Sequence, residues 1–158
     1  MSDATQTSVT NGPLRILLVD DDPRLLRATK LALEAFGRSW IVETFADPHE
    51  AFLASFAAPP HVVVTAYRMP HCTGAQLARA LRAAQGPSCP KLLLVTGVVG
   101  LRRRDRALFD AVCEKPLSPR HLAFQLRSLR ASRRSGTISA AGAPESSQSE
   151  RSVDTGTE

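Results

Sequence analysis

The sequence predicts an α/β fold, a doubly wound five-stranded parallel sheet of (βα)5 architecture with helices on both faces. Two observations predict it. Five short apolar runs rich in Val, Leu and Ile alternate with longer stretches whose apolar residues recur at helical spacing. Four of the five runs lack a clear polar alternation, which suits strands covered on both faces. With 158 residues, 43% of them hydrophobic and 22% charged, the chain has the size and balance of one ordinary domain.

The elements follow in order. The first strand is read at residues 15–19 (RILLV). Residues 23–36 form a helix that starts with Pro23 at a first-turn position, aligns Leu25, Leu26, Thr29, Leu33 and Phe36, and stops at Gly37. A strand at 40–45 (WIVETF) leads to a helix at 47–57, opened by an Asp47 cap and Pro48. The strand at 61–65 (HVVVT) precedes a helix at 73–84, with Leu77 and Leu81 inward and Arg79 and Arg82 outward. Residues 91–96 (KLLLVT) and 110–114 (DAVCE) supply the last strands, separated by a short Arg-crowded helix at 101–109. Ser118-Pro119 opens a final helix through Arg130, repeating Leu122, Leu126 and Leu129.

The folded span is therefore 14–130. Residues 1–13 are polar, and residues 131–158 carry seven Ser and three Gly but only Ile138 and Val153 as large aliphatics; both are expected to be disordered tails. No apolar run approaches the roughly 18 to 20 residues of a membrane span, and the first residues lack a signal-peptide pattern. Cys72, Cys89 and Cys113 form no CxxC, which predicts free thiols and a cytoplasmic location. His49, His61, His71 and His121 are dispersed; His71-Cys72 reads as an exposed loop pair rather than a metal site. The net charge of +5 raises the question of an acidic partner or nucleic acid. It resides in the span 14–130, whose 17 basic and 10 acidic residues give +7.

In a doubly wound sheet, functional groups gather at the carboxyl ends of the strands. Asp20, Asp21 and Asp22 leave the first strand together, where burial and mutual repulsion both disfavour charge, so a cation is expected nearby. Asp22, just before Pro23, suits a helix cap. Asp20 and Asp21 are hard oxygen donors of the kind Mg²⁺ takes, or one half of a pairing with a lysine; the residues alone leave both readings open. Thr96 ends the fourth strand, and Lys115 follows the fifth.

The combination LLVDDDP, YRMP followed by Gly74, VTG and EKPLSP resembles the receiver domain of two-component response regulators, across essentially the whole span 14–130. This resemblance implies the flavodoxin-like form of the fold. It also implies that Asp21 is a direct Mg²⁺ ligand with Asp20 its partner and the Arg68 backbone carbonyl a third contact. Thr96 corresponds to the hydroxyl that turns toward a phosphoryl group, Lys115 to the ammonium that pairs with it, and Lys115-Pro116 to a junction that is usually cis.

One position departs from the family pattern. The phosphoacceptor aspartate lies four residues before the proline of the xxMP turn, and in this chain that place is held by Ala66. A methyl group cannot attack phosphorus, and Thr65 and Tyr67 point to other sides of the strand. Aspartyl phosphorylation is expected to be absent and Mg²⁺ binding weak or lost, with Lys115 free to pair with an acid. The fourth helix is expected to be shortened, and Val112 stands where the family commonly has a switching aromatic. The reading is a single-domain receiver-like protein, not an enzyme, that acts by protein–protein contact with a histidine kinase or another signalling protein. Arg102, Arg103, Arg104 and Arg106, together with Arg127 and Arg130, form its expected partner face. A homodimer through that face stays open, a membrane partner is excluded and nucleic acid is the lesser reading. The other alternative is an ordinary phosphorylatable regulator carrying an Asp→Ala change at position 66.

Overall fold

The structure, a computed structural model, describes residues 12–134; most of both expected tails lies outside the described residues. Strands β1 (Leu14–Val19), β2 (Trp40–Phe45), β3 (Val62–Ala66), β4 (Lys91–Thr96) and β5 (Ala111–Glu114) form one sheet in the order β2-β1-β3-β4-β5. Every pairing is parallel. The (βα)5 expectation holds, because each strand is followed by a helix: α1 (Pro23–Phe36), α2 (Pro48–Ala57), α3 (Gly74–Gln85), α4 (Arg103–Arg106) and α5 (Pro119–Arg134). A short 3₁₀ turn at Gly86–Ser88 leads from α3 toward β4.

Side chains alternate across a strand, so β1 feeds two cores. Leu14, Ile16 and Leu18 pack with Leu26 and Leu33 of α1 and Leu122, Leu126 and Leu129 of α5. Leu17 and Val19 face the other side, against Leu77 and Leu81 of α3 and Phe109 beyond α4. Strand β3 is buried at all five positions, as its unbroken VVVTA run demands, whereas edge strand β2 buries only Val42. Leu126 is fully buried, and truncating it to Ala would cost about 2–5 kcal/mol.

Helix starts follow their caps. The Asp22 carboxylate accepts from the N–H groups of Arg24 and Leu25, the Asp47 carboxylate from that of His49, and Thr73 and Gln76 form a reciprocal capping box. Three expectations are adjusted. In α1, Leu26 and Leu33 are buried, while Leu25 and Phe36 sit at the rims, 40% and 39% exposed. Helix α4 spans one turn instead of 101–109; no side chain caps its start, and Leu108 and Phe109 close it with i→i−3 bonds to Asp105 and Arg106. Helix α5 runs to Arg134, past the expected boundary at 130, because Ala131, Arg133 and Arg134 are good helix formers although the composition turns polar there.

Candidate functional site

Four strand ends converge on one cavity of about 480 Å³ whose lining includes Asp20, Asp21, Ala66, Arg68, Thr96 and Lys115. Sheet order explains the convergence: β1 and β3 are adjacent, β4 and β5 follow, and all point the same way. Asp20 is largely buried and held on three sides. Its N–H donates to the Phe45 carbonyl at 3.2 Å, and its Oδ1 accepts from the Asp22 N–H at 2.9 Å. Its Oδ2 lies 3.5 Å from Lys115 Nζ. Lys115 is thus the cation expected beside the acid run. Asp21 is exposed and makes no such pairing among the described residues.

Thr96 is buried, and its Oγ1 accepts from the Val98 N–H at 3.0 Å. The Lys115 N–H donates to the Thr96 carbonyl at 2.9 Å, which fixes the end of β5 against that of β4, and the peptide bond from Lys115 to Pro116 is cis. Ala66, the last residue of β3, pairs with Val95 across the sheet and is buried. The neighbouring hydroxyls are committed elsewhere. Thr65 Oγ1 donates to the Ala66 carbonyl at 2.9 Å, and the Tyr67 hydroxyl donates to Asp105 at 2.9 Å. Behind Ala66 the chain folds back closely enough that a Cβ on Gly74 would fall 2.2 Å from the Ala66 carbonyl oxygen, so only glycine fits there.

Asp20 and Asp21 are the carboxylates among the residues that line the cavity. Both Asp20 oxygens face donors of the chain, and the Ala66 side chain adds no oxygen. Among the described residues no group of three or more His, Cys, Asp and Glu side chains is placed to hold a metal ion. His71 sits at positive φ in the exposed turn, and Cys72 Sγ approaches the Thr73 carbonyl. Burial pushes the thiols of Cys72 and Cys113 above their ordinary range.

The six arginines grouped by the sequence do not share a surface. Arg102, Arg103, Arg104 and Arg106 are exposed around α4, whose flanking Leu101, Leu108 and Phe109 pack on the α2–α3 side of the sheet. Arg127 and Arg130 belong to the opposite face. The Arg127 guanidinium donates to the Phe36 carbonyl at 3.0 Å and stacks over Trp40, and Arg130 donates to the Gly12 carbonyl at 2.7 Å. Two arginines placed on the partner face therefore fasten α5 to α1 and to the start of β1. The reason is helical phase: positions 127 and 130 flank the buried Leu126 and Leu129, on the side turned to α1.

Sequence reading missed a buried polar connection. Asp105, 6% exposed, is the one acid within the run RRRDR; its Oδ2 accepts from Tyr67 and its Oδ1 from Arg79 at 3.0 Å. Tyr67 directly follows Ala66, so this triad ties the end of β3 to α3 and α4. The hydrogen bond to the Asp105 carboxylate, with burial adding to it, raises the Tyr67 pKa. A second clamp runs beside it. Arg82 donates to the Leu108 carbonyl at 2.7 Å and pairs with Asp110 at 3.2 Å, and Asp110 accepts from the Leu92 N–H at 2.8 Å. The surviving signal was a lone acid among arginines and a lone tyrosine.

Residues 16–124 match the family model described as response regulator receiver domain. A probable transcriptional regulatory protein, TcrX of Mycobacterium tuberculosis, is 32% identical over 120 residues, covering 74% of this chain and 50% of that protein. The chain spans about half the length of the curated relatives it matches. Among solved structures, a CheY-like receiver domain protein from Methanospirillum hungatei is 27% identical with a TM-score of 0.66, covering 79% of this chain and 99% of that one. The Vibrio cholerae chemotaxis protein CheY4 has the same fold, with a TM-score of 0.68 at 24% identity, covering 75% of this chain and 99% of that one. Among the described residues no helix is long and apolar enough to cross a membrane.

Proposed function

Because this chain belongs to the response regulator receiver domain family of two-component signalling, we propose that it serves as a receiver without a phosphoacceptor and signals by docking to another protein. The observation that carries this reading is Ala66. It closes β3 on the wall of the cavity that Asp20, Asp21, Thr96 and Lys115 share, and it leaves Lys115 to pair with Asp20. Phosphoryl transfer needs a nucleophilic oxygen in line with the donor, and the neighbouring Thr65 and Tyr67 hydroxyls are turned to other partners.

Mg²⁺ has no chemistry to support at such a site, and we read the Asp20, Asp21 and Arg68 carbonyl set as a weak binder at best. The pocket keeps its fold through fixed contacts instead. The Lys115–Asp20 pair is partly exposed and contributes about 1 kcal/mol or less to stability. Its value is positional, since it holds the ends of β1 and β5 in a single arrangement.

The docking surface in this reading is α4. Asp105 turns inward, so the outward side of the turn presents Arg102, Arg103, Arg104 and Arg106. Four cations on one turn, fixed by the Tyr67–Asp105–Arg79 triad, favour an acidic protein surface such as one on a histidine kinase or another signalling protein. Capture of partners from the source organism tests this with wild type, Ala66→Asp and a fourfold Arg→Glu variant of the α4 arginines. Partners held equally by wild type with and without acetyl phosphate, and released by the α4 reversal, support the reading. A wild-type partner whose binding follows acetyl phosphate contradicts it.

A further inference from the structure

We infer that a second cavity, on the α1–α5 side of the Asp20–Lys115 pair, is a binding site for a small hydrophobic molecule bearing a carboxylate or carbonyl head. Its volume is about 540 Å³, within the 300–1,000 Å³ range of small-molecule sites. Most of its wall is apolar, built from Leu18, Leu26, Val64, Val95, Leu117 and Leu122. The cavity is a cleft open to solvent: its deeper wall, Leu18, Leu26, Val64 and Leu122, is at most 6% exposed, and an apolar guest would cover the partly exposed Leu25, Val95 and Leu117 along it.

The location is specific. Strand order β2-β1-β3-β4-β5 makes the β1/β3 boundary the point where the chain's crossovers diverge, and ligands of doubly wound sheets bind outside the carboxyl ends of the strands there. Leu18 and Val19 of β1 and Val64 to Ala66 of β3 line the cavity at that boundary. Ala66 contributes a methyl group to the wall, so this end of β3 carries no charge to repel an apolar body.

The head group follows from donors and acceptors. Asp20 and Lys115 are the cavity's only charged residues, and they also line the polar cavity beside it. The Asp20 carboxylate is already supplied with a backbone N–H and an ammonium. Lys115 has three N–H donors, and among the described residues its only recorded side-chain partner is Asp20, at 3.5 Å. The remaining donors, on a side chain 40% exposed, can exchange water for an acceptor on the guest. Such a ligand would bias the same Lys115 that the pocket uses. The cavity can be tested apart from the phosphorylation reading, since probe binding is read without any phosphoryl donor.

The test uses two fluorescent probes on the full chain: 1-anilinonaphthalene-8-sulfonate, an apolar body with an anionic acceptor, and N-phenyl-1-naphthylamine, the same body without it. Urea titration first establishes that each variant is folded. The expected result is saturable one-site binding of both, with amide shifts concentrated at Leu25, Thr29, Val64 and Leu117 in ¹⁵N spectra. Lys115→Met should weaken the sulfonate about tenfold and the uncharged probe by less than about twofold. Thr29→Trp, which fills the cavity from α1, should block both. Absence of saturable binding to the folded protein, shifts centred elsewhere, or equal weakening of both probes by Lys115→Met overturns the proposal. Phosphorylation of the wild type by acetyl phosphate would refute the previous section and leave this one intact.

Discussion

Replacing Tyr67 by Phe removes one oxygen and keeps the ring, so it isolates the hydrogen bond that joins the end of β3 to α4. The acceptor, Asp105, has a side chain only 9% exposed, whereas Arg79, its other partner, is 53% exposed. The two contacts therefore differ in weight. A half-exposed ion pair is screened by solvent and contributes about 0.5–1 kcal/mol. A hydrogen bond to a buried carboxylate contributes about 1.5–3 kcal/mol, because its loss leaves a desolvated oxygen without a donor. Water reaching the cleft moderates this, and the expected cost of Tyr67→Phe is about 1.5–2 kcal/mol. At an m-value of about 2 kcal/mol/M, the urea midpoint falls by about 0.8–1 M, and Tm drops by roughly 6 °C. A double-mutant cycle with Asp105→Asn should show a coupling of about 1 kcal/mol. Amide exchange should accelerate at Asp105 to Phe109 ahead of the rest of the domain. A cost below about 0.5 kcal/mol, or additivity within the cycle, would falsify the claim that this bond anchors α4.

The same bond sets a pH dependence. A raised Tyr67 pKa means the folded protein holds the phenol proton more tightly than the unfolded chain does, so its stabilisation is whole below about pH 10 and is lost as pH rises through the folded value. The gap in urea midpoint between wild type and Tyr67→Phe should therefore be constant from neutral pH to about 9 and narrow above about 10; a gap that widens there contradicts the assignment. The thiols of half-buried Cys72 and buried Cys113 shift stability in the same direction, and they cancel in this comparison. Mg²⁺ titration followed by ¹⁵N spectra should show no saturation at sub-millimolar metal for wild type and tighter binding for Ala66→Asp; sub-millimolar saturation of wild type would refute the weak-site reading. Gly74→Ala should lower stability by about 2 kcal/mol or more, because the added Cβ meets the Ala66 carbonyl at 2.2 Å. An unchanged urea midpoint would show that the loop yields.

Much of this molecule was legible in the chain because its local signals agree with one another. Asp22-Pro23, Asp47-Pro48 and Thr73 to Gln76 each mark a helix start by chemistry contained within four residues, and each cap is present. The strands announced themselves by continuous apolar runs, and the doubly wound order carried Asp20, Ala66, Thr96 and Lys115 to one end without further information. What could not be read depends on rotation and distance. Arg127 and Arg130 read as part of a partner face until the phase of α5 against α1 is known. Asp105 sits among arginines and reads as a surface acid, yet its partner Tyr67 is 38 residues away, on the turn that follows β3. The apolar cavity has no sequence signature at all, since the leucines and valines that line it are those of an ordinary core.

The proposed function turns on whether position 66 can carry a phosphoryl group. Wild type and Ala66→Asp, incubated with acetyl phosphate and Mg²⁺ and analysed by intact-protein mass spectrometry before and after mild base treatment, decide it. The expected outcome is an unmodified wild type beside an Ala66→Asp variant that gains a base-labile phosphoryl group. A base-labile phosphoryl adduct on the wild-type protein would contradict the account.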